Sequence, residues 1–184
     1  MDKKLLNQQS QHWESNFSSK PEMFGLEPSY SAKKSLEIFK KFNINNILEL
    51  GAGLGRDTIY FAKNNIKVYA LDFSPCAIDT IIKKSKKLGL EKFITAEVFD
   101  IRKDFSFIEK NFDCCYSHML YCMALTESDL KELNKKIHLK LKGDGINIYT
   151  VRNTSDGDFQ KGTHIEEDLY EMNGFIVHFF SDEK

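Results

Sequence analysis

Apolar positions along this chain follow two rhythms. Five short apolar runs read as buried strands: Ile47 to Leu50, Lys67 to Leu71, Phe93 to Phe99, Phe112 to Ser117 and Gly145 to Val151. Between them the spacing is helical. Arg56 to Lys63 predicts one helix. Ser74-Pro75 opens a second, since serine caps free N–H groups and proline's fixed φ suits the first helical position, and Gly89 ends it. Thr126-Glu127-Ser128-Asp129 resembles a capping box ahead of Leu130, Leu133, Ile137 and Leu141, with Gly143 closing that helix. Upstream, residues 3 to 20 predict a helix containing Trp13 and Phe17, followed by a loop through Pro21, Gly25 and Pro28. A further helix follows Ser29 or Ser31 with Leu36 and Phe39 inward, until Asn43 to Asn46 breaks it. Beyond Val151 come a polar loop, His164 to Met172, and Asn173-Gly174 ahead of Phe175 to Phe180, a hairpin signal.

Strands alternating with helices imply right-handed crossovers and a doubly wound, mostly parallel α/β sheet covered on both faces, with ligands at the carboxyl ends of the strands where the order reverses. Glu49, Gly51, Asp72, Asp100 and Ser117 all fall at or just beyond predicted strand ends. One domain is expected over 1–184: an N-terminal helical segment to residue 45, a core over 46–151, and a loop with hairpin over 152–184.

The formal net charge is -1, and Arg56, Arg102 and Arg152 are the only arginines, so there is no electrostatic footprint for a polyanion and nucleic acid is not an expected partner. Lys83 to Lys87 lies opposite Ile78, Ile81, Ile82 and Leu88 and reads as a solvated helix face. The four cysteines form no C-x-x-C pair and match no histidine spacing, so no metal site is expected. With no signal-like apolar segment and no apolar run near the roughly 20 residues that span a bilayer, the reading is a cytoplasmic protein with reduced thiols and no membrane role.

The candidate chemistry starts at Glu49-Leu50-Gly51-Ala52-Gly53-Leu54-Gly55. Three glycines at alternate positions remove each Cβ where a strand turns sharply into a helix, so main chain can approach a ligand. About seventeen residues later Asp72 ends the next strand, where a carboxylate can accept both hydroxyls of a ribose. Dinucleotide folds space their glycines G-x-G-x-x-G to cradle a pyrophosphate. Here the third glycine comes one residue early, and Arg56 stands where that pattern wants glycine.

The form Glu49-x-Gly51-x-Gly53-x-Gly55 instead resembles motif I of the class I S-adenosylmethionine-dependent methyltransferases. With Arg56-Asp57-Thr58, Tyr60-Phe61-Ala62 and Leu71-Asp72-Phe73-Ser74-Pro75, the stretch is similar to the small-molecule members of the tellurite-resistance and thiopurine-methyltransferase type. The resemblance covers residues 47 to 150, and Trp13-Glu14, Phe24-Gly25 and Pro28-Ser29 resemble the substrate-side N-terminal segment of that group. It implies a Rossmann-like class I methyltransferase fold with S-adenosyl-L-methionine as cofactor. Gly51, Gly53 and Gly55, with Arg56 beside them, would line its methionine portion. Glu49 would sit near its amino group, Asp72 on the ribose and Phe73 against the adenine; Asp100 with Ile101 would meet the adenine amino group, and Tyr116-Ser117-His118 would face the sulfonium. A complete member continues into a further helix and two antiparallel strands, whereas only the hairpin fits before Lys184, so an unpaired fifth-strand edge and a homodimer or strand exchange are secondary expectations.

Methyl transfer is an in-line displacement that needs alignment and exclusion of water, with a general base optional. The N-terminal segment and the 164 to 180 hairpin are expected to close over the sheet's carboxyl edge, with Trp13, Phe17 and Tyr30 as candidate lid and substrate residues, or ordinary packing. His118 is the candidate proton acceptor, or a hydrogen-bonded structural histidine, and Tyr121, Arg152 and His164 are candidates to orient an anionic acceptor. Three function classes remain: methyl transfer to a small molecule, a protein or RNA methyltransferase, and a non-catalytic module that binds the cofactor.

Overall fold

In the computed structural model, residues 3–108 and 111–183 are described. Helix α1 (Lys3–Ser19) precedes α2 (Tyr30–Phe42), which Ser29 caps by accepting the Ala32 N–H and which ends at Asn43 in the left-handed region. Then the alternation runs β1 (Asn46–Leu50), α3 (Arg56–Lys63), β2 (Lys67–Asp72), α4 (Pro75–Leu88), β3 (Ile94–Val98), β4 (Phe112–His118), α5 (Glu127–His138) and β5 (Leu141–Thr150). All pairings among the five strands are parallel, in the order β3-β2-β1-β4-β5. The chain winds outward from β1 to β3 and then restarts at β4 beside β1. That reversal opens a crevice at the carboxyl ends of β1 and β4.

The central strands β1, β2 and β4 are buried on both faces, which is why they read as continuous apolar runs. Ile47, Val68, Cys114 and Tyr116 pack with Leu36, Phe39, Phe61, Ile78 and Ile81 from α2, α3 and α4. Leu48, Leu50, Leu71 and Cys115 pack on the other face with Phe105, Leu130, Leu133 and Ile137.

The sequence reading differs from the fold at two places. Gly143 does not close α5, which ends at His138; β5 begins at Leu141 and carries Gly143 and a register shift between the pairs Phe112–Leu141 and Cys114–Ile146. Gly145 belongs to this bulge, where a Cβ would come within 2.9 Å of Leu141 Cβ and 3.0 Å of Lys142 O. The second difference is at the C-terminal end. The segment after Val151 forms a sheet of its own, β6 (Arg152–Asn153), β7 (Thr163–Glu166), β8 (Leu169–Met172) and β9 (Phe175–Phe180), in the order β6-β9-β8-β7. The Asn173-Gly174 hairpin is present, but His164 to Met172 is two strands, because Glu167 turns with φ 51°. Helix α1 packs on α4 and β9, so it bridges the two sheets over the crevice. Among the described residues no helix is long and apolar enough to cross a membrane.

Candidate active site

The crevice is a cavity of about 560 Å³. Its floor is the β1–α3 bend. The N–H groups of Gly51 and Ala52 both donate to Leu71 O, at 2.8 and 3.1 Å, tying the bend to the end of β2. Gly51, Gly53 and Gly55 all have positive φ, of 68°, 52° and 78°, which is the backbone that glycine adopts without strain. Gly51 and Gly53 line the cavity. Gly55 does not: a Cβ there would lie 2.5 Å from Ile81 Cγ1, so this glycine lets α3 and α4 close on each other.

Asp72 meets the bend directly, its Oδ2 accepting Gly53 N–H at 2.8 Å and its Oδ1 accepting Ser74 N–H at 2.9 Å. Each oxygen retains a lone pair for a ligand hydroxyl. Burial pushes this carboxyl up to about 6 against those two N–H groups, with Glu14 adding to the rise. Glu49 lies deeper, 3% exposed, and Thr58 Oγ1 donates to its Oε2 at 2.7 Å. Burial holds Glu49 well above the usual carboxylate range, and the neighbouring Asp57 and Asp72 add to it. Among the described residues no ion pair is formed by Glu49, and a buried carboxyl without one is complementary to a ligand ammonium.

An aromatic roof faces this floor. Trp13 stands 5.4 Å from Phe17, 6.3 Å from Phe24 and 4.6 Å from Phe175, ring centre to ring centre, and all four line the cavity. Arg56, also on the wall, donates to Phe24 O at 2.7 Å and lies over the Phe24 ring, which fixes the loop after α1. A smaller neighbouring cavity of about 80 Å³ shares Trp13, Phe73, Leu120 and Met123 with the first and is lined by Asp100, Ile101 and Arg102. Phe73, Asp100 and Ile101 therefore line one small cavity together. Asp100, however, is engaged at both oxygens by Arg102 (2.8 and 2.5 Å); burial pushes its carboxyl up, yet Arg102 holds it below the usual range.

On the β4 side, His118 and Met119 line the cavity. His118 Nδ1 lies 2.9 Å from Ser31 Oγ and 2.8 Å from Thr150 Oγ1, and burial holds its pKa below the ordinary histidine value, against the pull of Asp57 and with help from Arg56. The ring is thus neutral near pH 7. Met119 has φ 63°, a strained backbone for this residue at the cavity rim, held by its N–H to Thr150 Oγ1 at 2.9 Å.

Several sequence candidates lie elsewhere. Ser117 is wholly buried and does not line the cavity. Tyr30 is 76% exposed on α2 and takes no part in the roof. Tyr121 is buried beneath the site, stacked on Tyr149 and hydrogen-bonded to Asn134 and Asn147. His164 is exposed and bonded to Glu167 O. Arg152 does line the cavity, but Asp156 and Asp158 occupy its guanidinium at 2.8 and 2.6 Å. Sequence reasoning passed over Asp57, Met119, Leu120 and Phe175, which also line the cavity. Asp57 stood in the motif Arg56-Asp57-Thr58 without a role of its own, and Phe175 only as part of the hairpin expected over the carboxyl edge; the packing of α1 on β9 sets Phe175 against Trp13 in the roof. No group of three metal-ligating side chains occurs among the described residues.

Residues 47–145 match the family described as "Methyltransferase domain". The chain is 34% identical over 129 residues to phosphoethanolamine N-methyltransferase 1 of Triticum aestivum, and 31% identical over 130 residues to the Zea mays enzyme of that name. Each match covers 68% of this chain, and the chain spans about 22% of the length of those curated relatives. A S-adenosylmethionine-dependent methyltransferase from Clostridium acetobutylicum has the same fold, with a TM-score of 0.70 at 15% identity over 94% of this chain and 83% of that one. DhpI in complex with SAM shares it at a TM-score of 0.67 and 16% identity, over 100% of this chain and 86% of that one. With the glycine bend, the buried acids and the strand-order reversal all at one crevice, the chain belongs to the methyltransferase domain family, on the class I fold of S-adenosylmethionine-dependent enzymes.

Proposed function

We propose that this chain transfers a methyl group from S-adenosylmethionine to the nitrogen of a small-molecule amine. The observation that carries the cofactor is Glu49, a buried carboxyl with no ion pair among the described residues, on the same wall as Gly51, Gly53 and Asp72. Those residues fit the ammonium, main chain and ribose of one nucleoside, and Trp13 and Phe73 offer flat faces for its base. When bound, the cofactor supplies the sulfonium methyl. The chain's own residues hold, align and dry the site: Glu49 orients the amino-acid end, Asp72 the sugar, and the aromatic roof excludes water. His118, neutral and on the cavity wall, takes a proton from the acceptor nitrogen and frees its lone pair.

The amine is favoured because the curated relatives bear the name phosphoethanolamine N-methyltransferase, and because Arg152, a cation on the wall, is already paired with Asp156 and Asp158. The motif resemblance to the tellurite-resistance and thiopurine type supports the small-molecule class. A homodimer paired along the outer edge of β5 remains part of this reading; a monomer in light scattering removes it.

Calorimetry with S-adenosylmethionine and turnover with a panel of amines, thiols and oxyanions test the proposal. His118→Ala is expected to lower kcat roughly 10²–10⁴-fold with the cofactor Kd changed little. Full turnover in that variant sinks the base assignment; wild-type turnover confined to thiols sinks the amine.

A further inference from the structure

Asp57 is buried at the start of α3 and accepts three hydrogen bonds: from Ser29 N–H (2.8 Å) to Oδ1, and from Ser29 Oγ (2.7 Å) and Tyr116 OH (2.9 Å) to Oδ2. A carboxylate only accepts, so Ser29 and Tyr116 each spend their single hydroxyl proton on it. Ser31 Oγ lies 2.9 Å from Ser29 Oγ and 2.9 Å from Tyr116 OH, and both of those groups have only lone pairs left to offer. Ser31 has one proton, and pointing it at either of them makes a hydrogen bond, whereas pointing it at His118 would leave both 2.9 Å contacts without a proton. The 3.3 Å contact between Ser29 Oγ and Tyr116 OH then carries no proton. With its proton committed, Ser31 faces His118 Nδ1, 2.9 Å away, as an acceptor, and this contact is a hydrogen bond only when Nδ1 bears the hydrogen; a bare Nδ1 would keep a single donor, the Thr150 hydroxyl. Thr150 Oγ1, at 2.8 Å, already accepts the Met119 N–H and has a second lone pair for the same hydrogen.

We propose that Asp57, acting through Ser29, Tyr116 and Ser31, is a positioning residue that fixes His118 as the Nδ1–H tautomer and leaves its Nε2 lone pair for the acceptor. The idea rests on the reading of His118 as the base. Nε2 has no protein partner among the described residues, on a ring that lines the cavity. When the acceptor's N–H bond breaks, its electron pair stays on nitrogen and the proton bonds to Nε2. Nδ1–H keeps donating to Ser31, so no proton moves along the chain, and the Asp57 carboxylate, which also faces Arg56 Nε at 3.8 Å, stabilises the imidazolium through the hydroxyls. Sequence alone hides this, because Ser29, Ser31, Asp57 and Tyr116 come from α2 and its cap, α3 and β4.

The tautomer is readable without turnover. In ¹⁵N–¹H long-range spectra of ¹⁵N-histidine-labelled protein above neutral pH, with His118→Gln supplying the assignment, His118 is expected to show protonated Nδ1 and bare Nε2. Asp57→Asn keeps the shape but reverses the chain. Ser29 N–H still requires an oxygen at the Oδ1 position, so the amide NH₂ replaces Oδ2 and donates; Ser29 and Tyr116 then give their protons to Ser31, and Ser31 donates to Nδ1. The expected results are the Nε2–H tautomer and a kcat lower by roughly 10²–10⁴-fold. Nε2–H in the wild type, or an unflipped ring in folded Asp57→Asn, overturns the proposal. Should Asp57→Asn fail to fold, Ser31→Ala removes the last link and is expected to give mixed tautomers, and a ring that stays wholly Nδ1–H overturns it. Wild-type turnover in His118→Gln would instead sink the base assignment, and the wild-type and Asp57→Asn spectra still decide this inference.

Discussion

Gly51, Gly53 and Gly55 share a left-handed backbone for different reasons, and substitution separates them. Gly55→Ala adds a Cβ 2.5 Å from Ile81 Cγ1 to the cost of positive φ, and is expected to lose about 2–4 kcal/mol in urea unfolding. Gly89→Ala, with φ 66° and nothing within 4 Å, should lose only about 1 kcal/mol. Equal losses would mean that Ile81 yields freely. The two buried acids predict pH effects. Asp72 has a native pKa of about 6 against an ordinary 3.8, so the folded state binds the extra proton and stability falls as pH rises between those values. The loss is on the order of 3 kcal/mol at 1.36 kcal/mol per pKa unit. About 2 kcal/mol of it falls between pH 4.5 and 7, and that difference should vanish in Asp72→Asn when unfolding free energies at the two pH values are compared. A ligand ammonium beside Glu49 favours its ionised form, so cofactor binding should release protons, seen as a binding enthalpy that varies with the buffer's ionisation heat. No buffer dependence would place the ammonium elsewhere.

Helix α1 is held over the crevice by few residues. Glu14 accepts hydrogen bonds from Ser74 Oγ and, more weakly, from Cys76 N–H at 3.3 Å, both at the start of α4. On its other side Gln9 donates to Gly174 O (2.8 Å) and accepts Ile176 N–H (3.0 Å) from the β8–β9 hairpin. A hydrogen bond to a charged group contributes about 1.5–3 kcal/mol. Glu14→Ala is therefore expected to weaken cofactor binding roughly tenfold or more, mainly by faster release, and to speed hydrogen exchange in α1 while the parallel strands keep their protection. Unchanged release would show that the roof does not gate the site. The existence of α1 was legible from its aromatic spacing and its place near Pro21. Its seat on α4 and β9 was not, because Glu14 and Gln9 are ordinary polar residues until their partners are known.

At the scale of the whole molecule, the α/β alternation, the glycine bend and the acid at the end of β2 were legible because each depends on neighbours in sequence: strand and helix periods, cap residues, and a φ that only glycine takes without strain. From them followed the parallel sheet and the meeting of Gly53 with Asp72, 2.8 Å apart. Local rules also misplaced elements where distant strands intervene, as at β5, whose start and bulge follow the register imposed by β4 rather than the glycines at 143 and 145. The second sheet over 152–180 was read only as its hairpin, since β6 is defined by its pairing with β9. The sequence by itself determined the class of fold and the floor of the site, because those rest on backbone geometry and short-range order. Tertiary structure alone decided how Trp13 and Phe17 meet Phe24 and Phe175 in the roof, the exclusion of Tyr30, Tyr121 and Ser117, and the hydroxyl chain from Asp57 to His118. Each of these depends on which side chains meet across long stretches of chain, and on hydrogen-bond directions that exist only after burial removes water as the alternative partner.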